Sequence, residues 1–444
     1  MFETLICGAT VVNAEGTTRA DVGITAGRIA ALMPPGETTE AGKIVDASGC
    51  FLLPGLVDAH AHLRDPGLTH KEDFSSGTHA AALGGVTTVL DMPTDEPWTA
   101  TSELLADKMA MAEGRIHVDV GLQTVVSRDL SLVPRLLDRA PVSFELFTAD
   151  VPDAFLFATL DAVAEALKAF AGAETLIGIS SGDQSILAGS AMRDRSGSIA
   201  AFLDSRPPLA EANGVARALV AAASAEAKIH VRQINSELGV ETWSRLRGMA
   251  DASVETTPQN LFFTAADYET QGANLKASPP LRSPHDVDAL RAALSAGLID
   301  IVATDHAPHA PAEKAARYAA FADITGGMPG LQTLLQTMLK LTDEGLIALP
   351  DLVRMCSTNP AERFGLSRRK GRIAVGYDAD LLIVDPRQSS TIANADQVSR
   401  AGYTPFDGWT VKARLTSVFL RGHEIVREGR LVGPTLGKIV TRER

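Results

Sequence analysis

The sequence predicts an α/β protein: a (β/α)8 TIM-type barrel carrying a small composite β-sandwich domain built from both chain termini. Two patterns predict the architecture. The middle of the chain alternates buried apolar runs with helical periodicity, whereas both ends are short β-type runs punctuated by turns. A third observation places the chemistry. A histidine pair and an aspartate each follow an apolar strand, and barrels do their chemistry at C-terminal strand ends.

Residues 1–52 form the first part of the predicted sandwich. Leu5-Ile6-Cys7, Ala9 to Val12, Val22 to Ile24 and Arg28 to Leu32 are strand-like, with Gly, Asn and Glu between them. Residues 366–444 repeat this texture in Asp380 to Val384, Leu415 to Leu420 and His423 to Val426, with Arg421-Gly422 and Glu428-Gly429 as hairpin turns. Neither end has enough apolar surface to stand alone, so the two are expected to pair. Residues 53–365 carry the barrel. Its first strand is the apolar run Phe51 to Leu56, which the stretch from Val57 to Gly67 follows. Val86 to Met92, Val118 to Val126, Val142 to Phe147, Leu176 to Ile179, Ile229 to Ile234, Ala252 to Thr256 and Ile299 to Thr304 supply the other seven. Helical patterns lie between them: Ser76 to Leu83, Ser102 to Ala112, Ala154 to Ala171, Leu209 to Ala225, Glu237 to Met249 and Asp286 to Ala296. An open doubly wound sheet is disfavoured, because His60 stands where a glycine-rich phosphate loop would follow the first strand.

Composition bounds the function. With 45% hydrophobic and 21% charged residues the 444-residue chain is an ordinary globular protein with room for a large core. A net charge of −13 argues against nucleic-acid and anionic-membrane partners, which call for basic patches. Cys7, Cys50 and Cys356 are few, odd in number and scattered, which fits no disulfide framework. Met1-Phe2-Glu3-Thr4-Leu5 has neither the basic region nor the apolar segment of a signal peptide, so a cytoplasmic location is expected.

In Val57-Asp58-Ala59-His60-Ala61-His62, the two histidines are two apart and share one face of a strand. Such a pair is either a polar patch at a strand end or two ligands for a borderline metal such as zinc. Ile301-Val302-Ala303-Thr304-Asp305-His306-Ala307-Pro308-His309 ends another apolar strand in a carboxylate flanked by two more histidines. Together the two strand ends read as one metal site.

These stretches resemble the amidohydrolase superfamily, in its cyclic-amidase branch of dihydroorotases, allantoinases and hydantoinases. The resemblance runs over His60 to Gly67, Asp73 to Thr78, Gly84 to Val89, Lys276 to Arg282, Asp305 to His309, Thr358 to Ala361 and Gly376 to Leu381, in order along essentially the whole chain. It implies hydrolysis of a cyclic amide, imide or ureide C–N bond, a small-molecule substrate and an assembly of identical chains. It also implies a two-metal centre with a carboxylated lysine on strand 4 and single histidines on strands 5 and 6.

The sequence departs from that pattern. Glu145 replaces the lysine, Ser180 and Gln233 replace the histidines, and His230 should face away from Gln233 on a regular strand. The second metal position has lost both of its histidines, while His60, His62 and Asp305 of the first remain. One zinc per chain is therefore expected, or another divalent ion, with Glu145 as a candidate fourth contact. Glutamate ends three bonds short of a lysine carbamate, roughly 4 Å at about 1.5 Å per bond. Glu145 then contacts the metal directly or through water, or it pairs with a cation inside the barrel. Asp305 is expected to shuttle the proton from water to the leaving nitrogen, and His306 and His309 either to brace the ligands or, as expected for His309, to bind the substrate. By resemblance Arg64 binds a substrate carboxylate, unless it forms a salt bridge with Asp65 or Glu72. The two positions that would share that carboxylate hold Thr94 and Ser278. Two rival readings remain: a catalytically silent dihydroorotase-like scaffold kept for a partner such as a transcarbamoylase, and an allantoinase- or hydantoinase-like activity.

Overall fold

The computed structural model describes residues 1–36 and 40–442. Eight parallel strands close into a barrel: Leu56–Ala61, Val86–Asp91, Asp119–Val125, Ser143–Leu146, Ile177–Ser180, Ile229–Arg232, Ala252–Thr256 and Ile301–Val302. The eighth returns to the first through the Ala61–His306 bridge and a His62 N–H to His306 C=O bond of 2.7 Å. Asp58 strengthens this seam by accepting from the Thr304 amide at 3.0 Å.

The chain termini meet in one nine-stranded sheet. Phe51–Pro54 joins them, pairing parallel with Phe2–Asn13 and antiparallel with Leu381–Asp385. The apolar run expected to form a single strand from Phe51 therefore splits at Gly55. A Cβ there would lie 2.0 Å from the Thr87 hydroxyl, so only glycine lets the chain cross from sheet to barrel. At the other end, Ile439–Val440 leaves the terminal sheet and pairs with the third barrel strand instead. Both expected hairpin turns form, with positive φ at Arg421, Gly422, Glu428 and Gly429, as type I′ geometry requires.

Helix Ser102–Ala112 forms where the sequence placed it. The helix expected over Ala154 to Ala171 covers only Leu160–Lys168, because the Thr159 hydroxyl caps the Ala162 amide and starts the helix late. Leu334–Asp343, a buried helix after the eighth strand, went unread in the sequence. Among the described residues no helix is long and apolar enough to cross a membrane, and Cys7, Cys50 and Cys356 are all free thiols.

Candidate active site

The first and eighth strands deliver His60, His62 and Asp305 to one point at the C-terminal rim. Asp305 Oδ1 lies 3.3 Å from Nε2 of both His60 and His62, and one ligand atom from each residue fits within 4.8 Å of the others. Each imidazole is held from behind. His60 Nδ1 contacts Glu255 at 2.5 Å and His62 Nδ1 contacts the Thr94 hydroxyl at 2.8 Å, which turns both Nε2 atoms inward. The remaining Asp305 oxygen, Oδ2, accepts from the Gln233 amide at 2.6 Å. Two nitrogens and a carboxylate oxygen, oriented by buried partners and open on one side, are a donor set that suits a divalent ion such as zinc.

The electrostatics follow from burial and neighbours. Burial and then the Arg64 charge push His62 down to about 3, so its ring is neutral and free to ligate. Burial also disfavours a charged His60, but the Glu255 and Asp305 carboxylates outweigh it and raise its pKa. For Asp305 burial works upward, yet the His60 charge and the bonds from His62 and Gln233 hold the carboxyl below its ordinary value. The backbone is strained at this rim as well: Arg64, Gln233 and Asp305 all have positive φ, at 60°, 48° and 46°.

Glu145, the expected fourth contact, lies elsewhere. Both of its oxygens face Arg232, with Nη2–Oε1 at 2.6 Å and Nε–Oε2 at 3.0 Å. Its side chain stops below the rim, so the pairing with an interior cation is the one realised. The expected strand alternation between His230 and Gln233 also fails. The sixth strand ends at Arg232, and the positive φ of Gln233 breaks the alternation there. His230 points into the barrel, where its Nε2 meets Glu255 Oε2 at 2.9 Å. The Ser180 hydroxyl is occupied by the Thr148 amide at 2.9 Å.

A cavity of about 250 Å³ opens beside His60, His62 and Asp305. Ser180, Gln233 and Ser278 line it together with apolar Met92, Phe147, Val151 and Leu187. Arg64, Thr94 and His309 do not. Thr94 serves His62, and His309 donates from Nε2 to the Gly326 carbonyl at 2.9 Å. Arg64 forms neither of the expected salt bridges. Asp65 pairs with Arg115 at 2.7 Å and Glu72 with His306 at 3.2 Å, while Arg64 Nε has no hydrogen-bond partner among the described residues. His306 is a buried structural group whose carbonyl closes the barrel.

Glu255 and Arg232 were missed in the sequence. The signal was present: charged residues inside buried strands require partners, and Glu145, Arg232 and Glu255 are three such residues on three strands.

A (β/α)8 barrel with two rim histidines and an opposed aspartate defines the class of barrel hydrolases built around a divalent ion. The Amidohydrolase family model matches residues 51–168 and 219–425. A dihydroorotase from Methanothermobacter thermautotrophicus is 33% identical over 400 residues, covering 88% of each chain. An allantoinase from Deinococcus radiodurans is 33% identical over 99% of this chain and 98% of its own. The structure of an L-hydantoinase from Arthrobacter aurescens superposes with a TM-score of 0.95 at 29% identity, covering 100% of both chains. This chain belongs to the amidohydrolase family, in its cyclic-amidase branch.

Proposed function

We propose that this protein hydrolyses the C–N bond of an uncharged cyclic amide, imide or ureide at a site holding one zinc ion on His60, His62 and Asp305. The observation that carries the one-ion reading is the environment of Asp305. One oxygen faces the two imidazoles and the other is bonded to Gln233, and the second position's histidines are Ser180 and Gln233. When bound, the ion supplies Lewis acidity that polarises the ring carbonyl and acidifies nearby water. The protein's own groups do the rest. Asp305, held ionised, takes a proton from the attacking water and returns it to the leaving nitrogen. Gln233 fixes the carboxylate's orientation, and the apolar wall of Met92, Phe147 and Leu187 limits access of bulk water.

The cavity argues for a ring without a carboxylate. Each arginine on its wall already has a partner: Arg206 with Asp150 at 2.9 Å, Arg232 with Glu145, and Arg282 with Asn235 at 2.9 Å. Arg64 lies off the wall, and Thr94 is committed to His62. A substrate carboxylate would find no unpaired cation on this wall to offset its desolvation, which costs several kcal/mol.

Two measurements test this reading. Elemental analysis is expected to return close to one divalent ion per chain, and two would overturn the one-ion site. Zinc-loaded protein is expected to open neutral hydantoins, dihydropyrimidines or related imides at least tenfold faster than carboxylate-bearing rings. Added bicarbonate should have no effect, since no lysine stands at Glu145. A preference for the carboxylate-bearing ring would refute the neutral-substrate reading.

A further inference from the structure

Below the rim lies a closed network of buried charge. The Arg232 guanidinium has five N–H donors, and the structure gives five bonds for them. Nε and Nη2 hold the two oxygens of Glu145 at 3.0 and 2.6 Å. Nη2 also reaches Gln123 Oε1 at 2.6 Å, and Nη1 donates to Glu255 Oε2 and to the Ala59 carbonyl, both at 3.0 Å. Arg232, Glu145 and Glu255 are 4%, 1% and 0% exposed. The neighbouring strand makes room for the network. Gly178 is in register with Glu145, and a Cβ there would lie 2.2 Å from Glu145 Oε2. Two of the contacts lead to the metal ligands. Glu255 holds His60 Nδ1 through its other oxygen, and Ala59 is the residue before His60 on the strand.

We propose that Arg232 is a tethered cation doing for this site what a second metal ion and its bridging ligand do in a two-ion centre. It gathers the carboxylates of strands 4 and 7 and, through Glu255, fixes His60 with Nε2 turned toward Asp305. Arg232 touches no substrate and is a positioning residue. Glu145, which stands where the resemblance places the bridging lysine, is matched in charge and in space by the Arg232 guanidinium. Lysine could not replace it fully, because a point charge lacks the planar fork that holds Glu145 at two atoms while reaching Glu255.

The proposal rests on the one-ion reading, and the test separates the two. Zinc affinity is measured by competition with a chromophoric chelator for wild type, Arg232→Met, Arg232→Lys and the double variant Arg232→Met/Glu145→Leu. The single methionine variant strands buried carboxylates and stands to lose stability. The double variant replaces the buried Arg232–Glu145 pair with apolar groups and leaves Glu255 held by His60 and His230, and its fold is verified by far-UV dichroism before zinc is measured. In that folded double variant zinc binding is expected to weaken 10- to 100-fold, the scale of losing a group that orients a ligand. Arg232→Lys is expected to recover part of the loss. In zinc-free protein at a pH where the ring is neutral, ¹⁵N NMR is expected to show His60, assigned with His60→Gln, protonated at Nδ1 in wild type and mixed between tautomers in the double variant. Wild-type zinc affinity and an unchanged His60 tautomer in the folded double variant would overturn the proposal. A wild type that takes up no zinc would overturn the one-ion reading, and the His60 spectrum would then decide the role of Arg232 alone.

Discussion

Asp305→Asn is expected to fold and to lose turnover by about 10²- to 10⁴-fold, the contribution of a positioned acid–base group. The change is nearly isosteric, and the amide can still face His60 and His62 from the position of Oδ1, now 3.3 Å from each. It cannot accept a proton at neutral pH. Across the other oxygen, Gln233 would have to rotate its own amide to avoid opposing an N–H with an N–H, a small adjustment at the rim. Asp305→Ala is expected to lose zinc as well as turnover. In the wild type the limb for loss of a proton belongs to Asp305 and the attacking water as a coupled pair. Near-wild-type turnover by purified, zinc-loaded Asp305→Asn would remove this residue from the mechanism.

The largest expected effect on stability lies far from the site. Lys370→Met is expected to destabilise the protein by about 3–5 kcal/mol, the usual result of stranding buried charges. The Lys370 ammonium, 4% exposed, lies 2.6 Å from Asp119, 2.5 Å from Asp380 and 3.3 Å from Asp378. Asp119 opens the third barrel strand, whereas Asp378 and Asp380 lead into the terminal sheet, so one side chain clamps the two layers together. Arg421, on a hairpin of the terminal sheet, also pairs with Asp119 at 2.5 Å and supplies a second cation across the same two layers. Urea unfolding followed by far-UV dichroism measures the change. A loss under about 1 kcal/mol would mean that Arg421, together with Arg369, which pairs with Asp378 at 2.8 Å, suffices to neutralise the cluster.

Much of this was legible locally. The spacing of His60 and His62 needs only the two-residue period of a strand, and the turns at Arg421-Gly422 and Glu428-Gly429 need only the φ that their residues tolerate. Asp305 was readable as a carboxylate ending an apolar run. Other features had a local signal without a local solution. Glu145 was visibly out of place in a buried strand, but whether it met a metal or a cation depended on Arg232, two strands away in the barrel. Thr94 read as a substrate contact by position, and the fold turned it onto His62 instead.

By itself, then, the sequence determined the barrel, the joined termini and the three residues His60, His62 and Asp305 that meet at its rim. Each follows from period, turn chemistry or residue type along a short stretch. The tertiary structure alone decided which carboxylate holds His60, where Glu145 spends its charge, which arginines face the cavity already paired, and that Phe51–Pro54 and Leu56–Ala61 belong to different sheets. These are choices among residues brought together by barrel closure, as His60 and Glu255 are across 195 positions of chain. Periodicity sets the face on which a side chain stands; the stagger of eight closed strands sets what it meets there.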